Sequence, residues 1–121
     1  MKYALLIYAD PAAEGVAGED ATREMYRAFG EFTRELVTAG KLGAAEELQP
    51  SAKGRSVRIR DGRPVVTDGP YLEAREELGG LFLIEADDLD EAVRWAARVP
   101  SATYGTVQVR PLVIGTPPEP G

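Results

Sequence analysis

Six consecutive residues near the start, Tyr3-Ala4-Leu5-Leu6-Ile7-Tyr8, are apolar or aromatic whichever way a two-residue period is laid on them. Tyr3, Leu5 and Ile7 point to one side and Ala4, Leu6 and Tyr8 to the other, which predicts a strand covered on both faces. After a loose segment over residues 10–18 the spacing becomes three and four. Met25, Phe29, Phe32 and Leu36 then form one stripe of an amphipathic helix, with Gly40 as its C-cap. Residues 42–48 read as a weaker strand, diluted by Gly43, Ala44, Ala45, Glu46 and Glu47, a composition that suits a sheet edge. Residues 56–60 and 64–67 flank Asp61-Gly62-Arg63, a hairpin signal and an excursion from the main sheet. Residues 81–84, Leu-Phe-Leu-Ile, form the second strand apolar on both faces. Asp88 caps the next helix, Glu91 reaches back to it, and Leu89, Ala92, Val93 and Ala96 supply its predicted buried stripe. Pro100 stops that helix, and residues 106–110 alternate, with Val107 and Val109 on one face and Thr106, Gln108 and Arg110 on the other.

The order strand-helix-strand, hairpin, strand-helix-strand contains two split βαβ units, the plan of a ferredoxin-like α+β sandwich with an inserted β-hairpin. In that plan the first and third core strands are central, and they are the two strands apolar on both faces. Right-handed crossovers put both helices on one side of the sheet. The other side, with Leu6, Tyr8 and alternate residues of the third core strand, is left as an apolar patch of a kind soluble monomers seldom carry. A homodimer packed sheet against sheet covers it, with a cleft between the sheets or at their rim.

Composition narrows the chemistry. The 121 residues hold 14 Lys+Arg, 20 Asp+Glu, no His and no Cys, for a net charge of −6. A single domain over residues 1–114 is expected, followed by a proline-rich, loosely packed tail over 115–121. Disulfides, thiol nucleophiles, Cys/His zinc sites and histidine-based triads are excluded. The acidic balance argues against nucleic-acid and anionic-membrane binding. The first apolar run is too short for a signal peptide, so the expected compartment is the cytoplasm. No cofactor is expected, because the glycines lack P-loop and dinucleotide spacing, and Asp87, Asp88, Asp90 and Glu91 are explained by a helix start rather than a metal.

The residues that could carry chemistry begin with Thr67-Asp68-Gly69-Pro70-Tyr71-Leu72-Glu73. One reading is structural: a turn at Asp68-Gly69, then a helical turn opened by Pro70. The other places Asp68 and Glu73 at the mouth of the cleft as carboxylates for acid/base work. Tyr8, Tyr26 and Tyr71 offer phenols that either sit satisfied in core and interface or donate to a ligand. Arg110 is either a surface arginine or, on a buried dimer face, the partner of Asp68, Glu73 or a ligand carboxylate. Arg55, Arg58, Arg60 and Arg63 form the one basic cluster, normally a solvated strand face and otherwise a contact for an anion or partner.

The stretch Val66-Thr67-Asp68-Gly69-Pro70-Tyr71-Leu72-Glu73-Ala74-Arg75-Glu76-Glu77-Leu78-Gly79-Gly80 resembles the signature of YCII-related proteins of the DGPF group, also called the DGPFAETKE family. The opening Met1-Lys2-Tyr3-Ala4-Leu5-Leu6-Ile7-Tyr8, the segment Asp88-Leu89-Asp90-Glu91-Ala92 with Trp95-Ala96, and the closing Val109-Arg110-Pro111 extend the likeness over nearly the whole chain. Tyr71, Leu72 and Arg75 depart from the signature's Phe, Ala and Lys. The resemblance implies a ferredoxin-like domain that dimerises into an α/β barrel, without a settled reaction. A His-Asp pair proposed as catalytic in some relatives cannot transfer to a chain without histidine. Two functions stay open at this point. One is a small-molecule binding domain or enzyme using Asp68 as base, Arg110 as anion anchor and tyrosines as walls. The other is a non-catalytic sensor or interaction module with a transcription-regulator partner, implied by the group's association with sigma factors.

Overall fold

The computed structural model describes residues 1–14, 18–70, 72 and 74–113. Strand β1 (Lys2–Ala9) leads through a one-turn helix α1 (Pro11–Glu14) to the long helix α2 (Gly18–Thr38) and strand β2 (Leu42–Glu47). Among the described residues, strands β3 (Arg55–Arg60) and β4 (Arg63–Asp68) pair only with each other. Strand β5 (Glu77–Glu85), helix α3 (Leu89–Ala96) and strand β6 (Thr106–Pro111) complete the chain. The main sheet has the order β2-β5-β1-β6, antiparallel throughout, so the architecture is α+β and compatible with the ferredoxin-like plan. The expected tail over 115–121 lies outside the described residues.

The two strands apolar on both faces are the central pair. Leu5 stands opposite Phe82 and Val109, and Tyr3 opposite Ile84, so one face of β1, β5 and β6 supplies a continuous apolar layer. Helix α2 covers it with Phe32 and Leu36, flanked by the half-buried Met25 and Phe29. Phe32 meets Phe82 edge-on at 5.1 Å, and Phe29 lies nearly parallel to Phe82 at 6.4 Å. Leu5, Leu36, Ile84 and Val99 are sealed from solvent, and each side chain of this size contributes roughly 1.5–3 kcal/mol by leaving water.

Local chemistry sets the helix ends. Gly40 adopts φ 70°, Lys41 N–H donates to Leu36 O at 2.9 Å and Gly40 N–H to Val37 O at 3.0 Å, a Schellman close to α2. At the start of α3, Asp88 accepts from Glu91 N–H at 2.8 Å. The reach-back from Glu91 lands one residue earlier than expected, on Asp87 N–H at 2.8 Å. Its other oxygen accepts from Trp95 Nε1 at 3.1 Å and lies 3.3 Å from Lys41 Nζ. The Asp87 N–H holds the Glu91 carboxyl below its ordinary pKa, helped by Trp95 and Lys41 against the opposing cost of desolvation.

Three local expectations are corrected. The buried stripe of α3 runs through Ala92, Trp95, Ala96 and on to Val99, while Leu89 and Val93 stay exposed. Trp95 claims the contact with Phe32 at 6.2 Å, and two alanines then let the helix lie close to the sheet. Part of the loose 10–18 segment is helical, because Asp10 Oδ1 accepts from Ala12 N–H at 2.9 Å and Pro11 suits a first helical position. The described residues at and after Pro70 show no helical turn: 70 and 74 are coil, and 72, 75 and 76 are bends.

Candidate functional site

The sheet face opposite the helices is built by the even register. Leu6 lies between Leu81 and Gln108, Ala4 between Leu83 and Arg110, and Tyr8 between Leu78 and Thr106. On the β2 side, Ala44 sits beside Leu83 and Glu46 beside Leu81. The face therefore has a half-buried apolar centre of Leu6, Tyr8, Leu78, Leu81 and Leu83, with exposed Glu46 at one edge and Thr106, Gln108 and Arg110 at the other. None of these residues joins the core cluster under the helices.

At the Tyr8 end, several polar groups gather. Asp10, two residues beyond Tyr8, lies 3.5 Å from Arg75, which ties the segment before β5 to the end of β1. Glu77 accepts from both the backbone N–H and the hydroxyl of Ser51, at 3.1 Å for the N–H. The hydroxyl of Tyr8 meets no hydrogen-bond partner among the described residues. Gly105 makes this corner compact: a Cβ there would stand 2.4 Å from Tyr8 O, so only glycine lets the turn before β6 press on the β1 backbone.

Gly69 carries the structural half of the signature. It is buried at φ 80°, its N–H donates to Gly54 O at 2.9 Å, and its carbonyl accepts from the Ser56 hydroxyl at 2.7 Å. These bonds root the β3–β4 hairpin. Asp68 lies across from Arg55 at 3.4 Å with its side chain 91% exposed. Such an exposed pair is worth little in stability.

The other sequence candidates scatter within one chain. Arg110 faces Ala4, four residues from Tyr8 along β1 and roughly 13 Å at strand rise, and the ion pair of Asp68 is with Arg55. Tyr26 lies on the helix side, where its hydroxyl donates to Glu47 at 2.9 Å. Tyr71 and Glu73 lie outside the described residues. Asp10, Arg75, Ser51 and Glu77 were not singled out by sequence reasoning. Asp10 fell within the loose 10–18 segment, and Arg75 marked only a signature position, so neither carried a sign of the other.

Over residues 1–114 the sequence matches the YCII-related domain family. The chain belongs to that family. It is also 34% identical to an uncharacterized protein of Rhizobium meliloti (strain 1021), in an alignment that covers 98% of each chain. In this YCII-related domain, a concave region lies between α2 and α3, lined by Glu31, Arg34, Thr38 and Trp95 among others. Arg98 spans it, ion-paired to Glu35 and 5.0 Å over the Trp95 ring. Among the described residues, no three carboxylates gather as a metal site, and no helix is long and apolar enough to cross a membrane.

Proposed function

We propose that this YCII-related domain works as a homodimer, sheet on sheet, and binds a small anionic molecule in the cleft at the Tyr8 end. The observation that carries the reading is the open face itself: five half-buried apolar side chains in register, with the Tyr8 phenol at their polar rim. Removing such a face from water is the dominant drive for association. A twofold axis lying across the strands lays the two sheets antiparallel, so that Arg110 of one copy stands over Tyr8 of the other. That arrangement brings Tyr8 and Arg110 to one place.

In the cleft, Leu6, Leu81 and Leu83 are the walls, Arg110 is the anchor for a ligand carboxylate, and Tyr8 and Tyr71 donate hydrogen bonds. Asp68 and Glu73 enter from the signature segment, where a carboxylate desolvated by the ligand can accept a proton. The domain spans 1–114, and the tail takes no part. The test is thermal unfolding with a panel of small carboxylic acids on wild type, Arg110→Ala and Tyr8→Phe. At least one acid is expected to raise the wild-type Tm, with the shift lost in Arg110→Ala and reduced in Tyr8→Phe. Equal shifts in all three proteins would remove these residues from any site.

A further inference from the structure

We infer that the β3–β4 hairpin is an arm that lies on a second copy of this chain, outside the sheet-to-sheet contact. The inference rests on the dimer proposed above and adds a second contact to it.

The ladder sorts the hairpin into two unlike faces. Val57 pairs with Val66 and Ile59 with Pro64 on one, while Arg58 pairs with Val65 and Arg60 with Arg63 on the other. The apolar face is bare: Val57 is 61% exposed, Ile59 60% and Val66 52%. Its turn is well made, with positive φ at Asp61 and Gly62, the type I′ geometry that suits a hairpin. A two-stranded ribbon nevertheless has marginal stability by itself in water, and this one keeps its valines and isoleucine in solvent within a single chain. Turn chemistry and root bonds specify the ribbon, and the apolar face still lacks a surface to pack on.

Charge says which surface fits. Residues 55–68 hold four arginines and two aspartates, a net +2, which leaves −8 on the rest of a chain whose total is −6. A basic arm and an acidic body on the same molecule are self-complementary, the condition for an isologous contact. Reach agrees as well. Six-residue strands extend about 20 Å, against the roughly 10 Å that separates stacked sheets. The arm leaves the sheet beside Glu77 and can cross to a copy seated on the open face, where exposed Glu85 and Asp90 mark that copy's opposite end.

The test compares wild type with Val57→Asp/Ile59→Asp, Arg58→Glu/Arg60→Glu and Leu6→Asp/Leu83→Asp, by sedimentation over a dilution series and by amide exchange in residues 55–68. The arm predicts that the hairpin-face pair and the arginine pair each weaken dimerisation at least ~10-fold, the latter gap narrowing in high salt. It also predicts that hairpin amides lose protection on dilution of wild type. A dimer unaffected by both hairpin variants but broken by Leu6→Asp/Leu83→Asp overturns the arm and leaves the sheet contact standing. A dimer broken by the hairpin variants but indifferent to the sheet variant supports the arm and rejects the sheet contact. Wild type that stays monomeric throughout overturns both.

Discussion

The two faces of the main sheet carry nearly the same apolar content and meet different fates. Tyr3, Leu5, Ile7, Phe82 and Ile84 are buried beneath α2 and α3, while Leu6, Tyr8, Leu81 and Leu83, one residue along in each strand, are only half-buried. Strand chemistry is the same for both faces, so the difference is one of cover. The helices act on one side because both crossovers turn the same way, and the second side is left half-buried within the chain.

Substitutions separate the two faces. The largest effect is expected from Leu36→Ala, which opens a cavity under the fully buried α2 stripe and should cost roughly 2–5 kcal/mol by urea unfolding. Leu81→Ala, on the other face, should leave the unfolding of a dilute sample nearly unchanged and act on association instead. If Leu81→Ala matched Leu36→Ala in dilute solution, the contrast between the faces would be gone. Gly105→Ala comes next, because the added methyl meets the Tyr8 carbonyl oxygen and forces the β1 and β6 ends apart. A loss of about 1–3 kcal/mol is expected in the same assay, with the Tyr8 ring signals shifted by NMR.

Asp88→Ala removes the cap of α3, on the covered side, and should cost about 1 kcal/mol. The smallest effect concerns acid. Glu91 has a lowered pKa in the folded chain, so its ionised form adds stability above the ordinary carboxylate range. That part fades as pH falls through the depressed value. Wild type should therefore exceed Glu91→Gln in stability at neutral pH and converge on it in acid. A gap that held constant with pH would deny the carboxylate that role.

Much of the sheet could be read from residues 3–8 and 81–84, since only central strands need to be apolar on both sides. The α3 stripe was less legible. Leu89, Ala92, Val93 and Ala96 satisfy helical spacing as well as the observed set does, and the choice was made by Phe32, a residue of another helix that holds Trp95. The site was less legible still. Sequence spacing assigns Arg110 and Tyr8 to one face, but the four-residue step from Ala4 to Tyr8 separates them along it. The Asp10–Arg75 pair joins positions 65 residues apart, a closure that no local pattern announces. Gly69 is the exception, since a glycine after aspartate before Pro70 already reads as a change of direction, and the chain bends there at positive φ.

The most direct measurement is light scattering of the full chain at micromolar concentration, repeated with Leu6→Asp. Wild type should weigh two 13.0 kDa chains, and the variant should weigh one while keeping its helical circular dichroism. Wild type at the mass of a single chain, folded and soluble, would contradict the claim that another copy covers the exposed side of the sheet.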